Sequence, residues 1–380
     1  MSPNLPPKTQ KELLESKSNN YQELEDKYFQ LTNTHLLDPF ALPPEVVSSK
    51  KLSATVIIPA GNVKNSIIPC LTSIEQSSFN QKYPERLQVI VVDDGSNDGT
   101  WDILKNSQFS LNVSALRQKH HGQAQALNTG IAVAKNDIII CCDADMVLSY
   151  YAIEQLMVRH ELFSNVLLVG FRSNTPASDP RVNADFIRKN GVHRYSQFYG
   201  DERIVFPIPG NPSNMCLATN HFKDLGNLKG LLMRDEEPWL LPDLVFGALF
   251  SLPRQTYIDI GGYDERFVGW GCTDGYLASK AISVGKYIVP VYSASGLHIS
   301  HPDRSTTKYA EYEKNRKLFI KLIETSSVDA YPNFLKNAKD RVIETITLKH
   351  TVTTANFDRD KHAQLEPKNL EIDSLSAVGR

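Results

Sequence analysis

Ile138-Ile139-Ile140-Cys141-Cys142-Asp143-Ala144-Asp145 is the stretch on which the fold turns. Five apolar residues in a row suit a strand buried on both faces of a parallel sheet, and the change to two carboxylates at i and i+2 marks where the chain leaves it. Two similar runs precede it: Thr55-Val56-Ile57-Ile58, ending in Pro59-Ala60-Gly61-Asn62, and Leu87-Gln88-Val89-Ile90-Val91-Val92, ending in Asp93-Asp94-Gly95-Ser96. Helix patterns fill the gaps, with Ile67, Leu71 and Ile74 on one face and Ala124, Leu127, Ile131 and Ala134 on another. This alternation predicts a Rossmann-like, doubly wound α/β sheet. Ligands of such sheets sit outside the carboxyl ends of the strands, so the acids should converge on one crevice. No GxGxxG follows the first strand and no GxxxxGK[ST] occurs, so the phosphates of a ligand are expected to be held through a metal.

Composition narrows the function classes. In 380 residues, 41 Lys and Arg stand against 43 Asp and Glu, a net charge of −2 that offers no field for nucleic acid. Hydrophobic residues at 41% and charged residues at 22% point to a folded globular chain. Cys70, Cys141, Cys142, Cys216 and Cys272 include no CxxC pair and read as reduced thiols of a cytoplasmic protein. The N-terminus has no apolar signal region, and no stretch reaches the ~20 apolar residues of a membrane span. Peripheral membrane association is left open.

Residues 1–50 read as a polar extension with one helix from Lys8 to Leu31, outside the core. The main domain is expected over 51–302, in two halves at 51–147 and 148–302. The latter includes a proline-rich turn at 207–212, an acidic segment at 234–237 and a strand at 287–291. Residues 303–355 should form helices, near 307–325 and 332–349, and 356–380 a disordered tail.

With Asp93-Asp94-Gly95-Ser96-Asn97-Asp98-Gly99-Thr100 before it and Gly122-Gln123-Ala124-Gln125-Ala126-Leu127-Asn128-Thr129-Gly130 between, the Asp143-Ala144-Asp145 element resembles that of the family 2 glycosyltransferases of GT-A fold. The resemblance runs from about Ala54 to Pro302 and makes 51–147 the nucleotide-binding half and 148–302 the acceptor-binding half. It implies an enzyme with a mixed α/β sheet and N- and C-terminal helical extensions, using a UDP-sugar donor, an acceptor hydroxyl on a carbohydrate or other molecule, and Mn2+ or Mg2+. Pro59 to Asn62 and Asp93 or Asp94 would then meet the nucleotide base, with Gly122, Asn128, Asp143, Ala144 and Asp145 also at the nucleotide-sugar, Asp143 facing the nucleotide and Asp145 binding the ion. Ala60-Gly61 departs from the family's larger residue before the Asn.

Gly269-Trp270-Gly271-Cys272-Thr273-Asp274 is similar to the GWGxED element of the branch with chondroitin polymerases, β-1,4-galactosyltransferases and polypeptide N-acetylgalactosaminyltransferases. The resemblance makes Asp274 the catalytic base and puts Trp270, Gly271 and Thr273 at donor or acceptor sugar, with Thr273 replacing an acid. A helix N-cap is the competing role for Asp274. His298-Ile299-Ser300-His301 matches the place of the branch's metal ligands, with His301 the stronger candidate and His298 the weaker. His120-His121 is either a solvated loop or a diphosphate contact. The loop around Trp270 and the 172–212 region are expected to close over the donor. Two other classes stay open: a non-catalytic carbohydrate-binding or scaffold protein, which Thr273 would suit, and a sugar nucleotidyltransferase, for which Pro59 to Lys64 is a poor glycine-rich loop.

Overall fold

A computed structural model describes residues 8–45, 51–194, 201, 231–232, 238–239, 241–301 and 307–348. The expected mixed, doubly wound sheet forms. Its strands are β1 (Ala54–Ala60), β2 (Leu87–Asp94), β3 (Val113–Gln118), β4 (Ile138–Cys142), β5 (Met146–Leu148), β6 (Val166–Thr175), β7 (Leu249–Pro253), β8 (Tyr287–Ile299) and β9 (Glu344–Thr347). They lie in the order β9-β3-β2-β1-β4-β7-β6-β8-β5. β3, β2, β1 and β4 are parallel, so Ala60, Asp94 and Cys142 all end on one edge of the sheet. β7 runs antiparallel between β4 and β6, and β8 returns parallel to β6. Every residue of β4 is buried, as an uninterrupted apolar run between two layers should be.

The helices are α1 (Gln10–Ser16), α2 (Gln22–Thr32), α3 (Ile67–Glu75), α4 (Ser78–Lys82), α5 (Thr100–Lys105), α6 (Gln123–Val133), α7 (Ala152–Leu162), α8 (Ala184–Asn190), α9 (Arg254–Asp259), α10 (Thr273–Ser283) and α11 (Lys308–Thr325). In α3 the Ile67, Leu71 and Ile74 stripe is fully buried. α6 lies on β1 and β2 so closely that a Cβ on Gly130 would stand 2.5 Å from Ile57. No helix among the described residues is long and apolar enough to cross a membrane.

Several local expectations are corrected. The helix from Lys8 to Leu31 is two helices, because Asn19 leaves the helical path to pair with β8, donating to Ile288 O and accepting from Ile288 N, each at 2.8 Å. The same segment is not outside the core: Leu14, Tyr21, Tyr28 and Leu36 are at most 2% exposed. The helix expected near 332–349 is a short turn at Ala338–Arg341 followed by β9, which pairs antiparallel with the free edge of β3. The strand expected at 287–291 continues to Ile299 and so carries His298. The turn at 207–212, the acidic segment at 234–237, Cys216 and the tail at 356–380 lie outside the described residues.

Candidate active site

The first two strand ends are latched together. Asn62, at φ 54, donates its N–H to Ser96 Oγ at 2.9 Å and accepts from Asn97 N at 2.9 Å. Val63 N and Lys64 N reach Thr100 Oγ1 and Asp98 Oδ2. Pro59 sits in register with Val92, just inside this latch.

Asp93 and Asp94, alike in sequence, have different surroundings. Asp94 is committed within the fold: Oδ1 accepts from the Gln118 side chain (Nε2) at 2.7 Å and His121 N at 2.9 Å, and Oδ2 from Gly122 N at 2.7 Å. His120 Nδ1 stands 2.9 Å from the same carboxylate. This carboxylate shapes the loop that opens α6, with Gly122 at φ 97 just before the helix. Asp93 is fully buried, with Arg117 Nε at 3.2 Å from Oδ2. Burial pushes its pKa up, while Ser96 and Arg117 pull it down.

Asn128, expected at the nucleotide, is turned into the fold. It is fully buried under the 263–265 loop, where Nδ2 donates to Tyr263 O at 2.9 Å and Glu265 Oε1 at 2.8 Å, and Oδ1 accepts from Tyr263 N at 2.8 Å. Its hydrogen-bonding capacity is spent inside the fold.

Antiparallel pairing of β5 with β8 sets His298 opposite Met146, and Ile299 N donates to Asp145 O at 2.9 Å. The strand end thereby delivers both imidazoles to Asp145: His298 Nε2 lies 3.4 Å from Oδ1 and His301 Nε2 3.4 Å from Oδ2. One donor atom from each of the three residues falls within 4.8 Å of the others. A carboxylate oxygen with two imidazole nitrogens is a donor set that fits a first-row divalent ion. His298 is placed as well as His301, so their expected ranking has no geometric basis.

Asp274 lies in the first turn of α10, but it is not the cap. Cys272, at φ 63, is the N-cap residue and no side chain caps the helix. The Asp274 carboxyl is buried, which raises its pKa to about 6 against the pull of hydrogen bonds from Tyr263 and the Gly247 backbone. Its Oδ1 has no hydrogen-bond partner among the described residues. A Cβ on Gly247 would stand 3.0 Å from Asp274 Oδ2 and 3.4 Å from Asp143 Oδ1, so the missing side chain lets both acids open into the same space. That space is a cavity of about 320 Å³, lined also by Gln123, Arg172, Trp270 and Thr273. Gln123 Nε2 donates to Asp143 Oδ1 at 3.4 Å. Ala144 points the other way, into the core.

The Trp270 loop is tied to α11. Glu311 Oε2 accepts Trp270 N–H at 2.8 Å, and Asn315 Nδ2 donates to the carbonyls of Val268, Trp270 and Gly271 at 3.1–3.2 Å. Gly271, at φ 95, passes so near Tyr312 that a Cβ would come within 2.7 Å. The Trp270 ring is half exposed, with Lys308 Nζ 4.5 Å from its centroid. Thr273 is buried beside it, its hydroxyl turned to Gly271 O at 3.5 Å. Gly247, Arg172, Glu311 and Asn315 carry no motif that would have singled them out. Tyr263 stood within the glycine-rich segment without an assigned role.

Residues 55–217 match the family model "Glycosyl transferase family 2", and residues 242–314 match "N-terminal domain of galactosyltransferase". The chain is 24% identical over 277 residues to chondroitin synthase of Escherichia coli, covering 71% of this chain and 37% of that protein. It is 22% identical over 299 residues to chondroitin synthase of Pasteurella multocida, covering 73% of this chain and 27% of that one. The chain thus spans about a third of the length of these curated relatives. Among solved structures, a Pyrobaculum calidifontis mannosyltransferase in complex with GDP-Man and Mn2+ aligns at TM-score 0.48 and 17% identity over 87% of this chain and 80% of that one. GalNAc-T7 with UDP, GalNAc and Mn2+ aligns at 0.47 and 16% over 80% and 56%. The two family matches bear out the resemblance in both its parts.

Proposed function

Since the chain carries a family 2 glycosyltransferase domain joined to a galactosyltransferase-type segment, we propose that it transfers a sugar from a UDP-sugar to an acceptor hydroxyl with inversion, Asp274 acting as base. The observation that carries this reading is the Asp274 carboxyl: buried, opening beside Asp143 into the cavity, with one oxygen lacking a partner among the described residues and a pKa raised to about 6. A base needs to be ionised at working pH yet basic enough to take a proton, and a carboxyl near 6 meets both demands.

In this reading Asp93 meets the uracil edge, the Pro59–Asn62 turn and the Gly122 loop border the nucleotide, and Asp143 faces ribose. Asp145, His298 and His301 would hold Mn2+ or, less suited to imidazole, Mg2+, and the bound ion would offset negative charge on the departing diphosphate. Trp270 presents an apolar face at the cavity mouth where a sugar ring can stack. Asp274 takes the hydroxyl proton as the acceptor oxygen attacks the anomeric carbon from the face opposite the diphosphate, so one displacement inverts the centre. Held by Glu311 and Asn315, the Trp270 loop needs no large movement to keep water from the donor.

The test is UDP release from a panel of UDP-sugars with Mn2+ by the purified chain. Slow donor hydrolysis that stops in EDTA, and in each of Asp145→Ala, His298→Ala and His301→Ala, is the expected result. Full turnover in excess EDTA removes the ion from the reading. Equal calorimetric affinity for UDP, GDP and ADP removes the role of Asp93, since an unmade buried hydrogen bond costs ~1–3 kcal/mol.

A further inference from the structure

One ion pair at the cavity wall has no part in the reaction above. Asp243, in the short turn Leu241–Leu244, lines the cavity, and Arg316 NH1 from α11 donates to its Oδ1 at 2.9 Å and its Oδ2 at 3.0 Å. Their side chains are 14% and 10% exposed, so the pair is largely shielded from water. A guanidinium nitrogen that reaches both oxygens fixes the carboxylate in place, and a carboxylate can accept from more than one donor.

The carboxylate lies against the first turn of α10, where a Cβ on Gly275 would stand 3.3 Å from Asp243 Oδ1. Asp243 and Asp274 thus face one cavity, whereas the Thr273 hydroxyl is turned to Gly271 O. The Trp270 and Tyr312 rings line the same cavity, their centroids 5.7 Å apart. One helix builds this side: α11 holds the Trp270 loop through Glu311 and Asn315, packs Tyr312 on Gly271, and holds Asp243 through Arg316. A sugar ring has an apolar C–H face and a rim of hydroxyls, and an aromatic wall beside a fixed carboxylate complements both. Among the described residues three carboxylates, Asp143, Asp243 and Asp274, and one guanidinium, Arg172, line the cavity. That balance disfavours an acceptor with a negative charge of its own.

We propose that Asp243, held by Arg316, determines acceptor specificity: its carboxylate accepts hydrogen bonds from the hydroxyls of an uncharged sugar whose ring lies against Trp270 and Tyr312. The two acids then divide the work. Asp274 takes the proton of the attacking hydroxyl, and Asp243 takes none but fixes which hydroxyl is presented. Arg316 acts through Asp243 and is a positioning residue.

The inference rests on the proposed transfer from a UDP-sugar, and its test keeps the two apart. With the full chain, Mn2+ and the UDP-sugar hydrolysed fastest, UDP release is measured in the presence of p-nitrophenyl β-glucoside, β-galactoside, β-N-acetylglucosaminide and β-N-acetylgalactosaminide. p-Nitrophenyl β-glucuronide is the charged counterpart. At least one uncharged glycoside should raise UDP release above the rate with water, and the glucuronide should not. In Asp243→Asn the KM for that glycoside should rise ~10-fold or more, because hydrogen bonds to a charged group are lost, with kcat changing less. An unmoved KM, whether or not the rates fall, makes the pair structural and overturns the role of Asp243. Should Asp243→Asn not fold, Arg316→Lys keeps a cation beside the carboxylate but frees it to turn, and an unmoved KM there overturns the role equally. UDP release that no uncharged glycoside accelerates, or that the glucuronide accelerates best, overturns the inference and leaves the transfer reading standing. No UDP release from any UDP-sugar overturns that reading, and the inference with it.

Discussion

Asp274 must be ionised to accept a proton, and burial holds its pKa at about 6. Turnover should therefore rise as pH increases through about 6 and level off above it, a profile read from initial rates of UDP release. The stability effect has the opposite sign. An ordinary aspartate ionises near 3.8, so between there and about 6 the folded chain keeps a proton that the unfolded chain has lost. Stability from this group is thus complete below the lower value and is lost as pH rises through the upper one. Asp274→Asn, which has no charge to bury, should melt at or above wild type at pH 7.5, with the gap closing toward pH 4. Its transfer rate should fall ~10²- to 10⁴-fold. Thermal melts and rate assays on one preparation check both. Asp274 was legible because a tryptophan between two glycines has few structural uses. The separation of Asp93 from Asp94 was not, since adjacent acids look the same until it is known which faces the loop amides.

α6 and the loop before α10 are joined by one side chain, Asn128, and this junction makes a distinct forecast. Asn128→Ala strips three hydrogen bonds from Tyr263 and Glu265, the two to Tyr263 buried, so it should destabilise the chain by ~1–3 kcal/mol for each buried group left unsatisfied. UDP affinity should stay near wild type because no nucleotide contact is removed. A variant of normal stability with UDP binding weakened tenfold would return Asn128 to the nucleotide. Denaturant melts and calorimetry distinguish the outcomes. The buried parallel strands and the α3 and α6 stripes were visible in the sequence, because their periodicity reports burial directly. β9 was not: Glu344–Thr347 is mostly exposed and becomes a strand by pairing with the edge of β3. The break between α1 and α2 was hidden for a similar reason, since Asn19 leaves its helix for a partner on β8.

The N-terminal helices belong to the same packed body as the sheet, so their removal should be felt throughout the chain. Leu14, Tyr21, Tyr28 and Leu36 are buried in the main core, and each such side chain contributes about 1.5–3 kcal/mol. Tyr28 also lies 4.9 Å from the guanidinium of the fully buried Arg159, whose NH2 donates to Leu36 O at 2.7 Å. Deleting residues 1–45 would open the core and leave that cation without these partners. The shortened chain should be recovered in aggregates or melt far below the full one, as read by size-exclusion chromatography and circular dichroism. A shortened chain that melts like the full one would show that these contacts stabilise little.

The buried strands, the acids at their ends, the Trp270 loop and the histidine pair were all available from the order of residues, because each is a local pattern of apolarity, turn chemistry or motif. Which of these meet was a matter of pairing across the chain. Asp145 reaches His298 and His301 through the register of β5 on β8, and Asp274 faces Asp143 because Gly247 lacks a side chain between them. The pKa of Asp274 follows from what covers it, and Asn128 turns inward because a loop from a distant part of the chain saturates its amide. Contacts of this kind depend on strand order and burial, which arise when remote segments pack and leave no mark at the positions they act on.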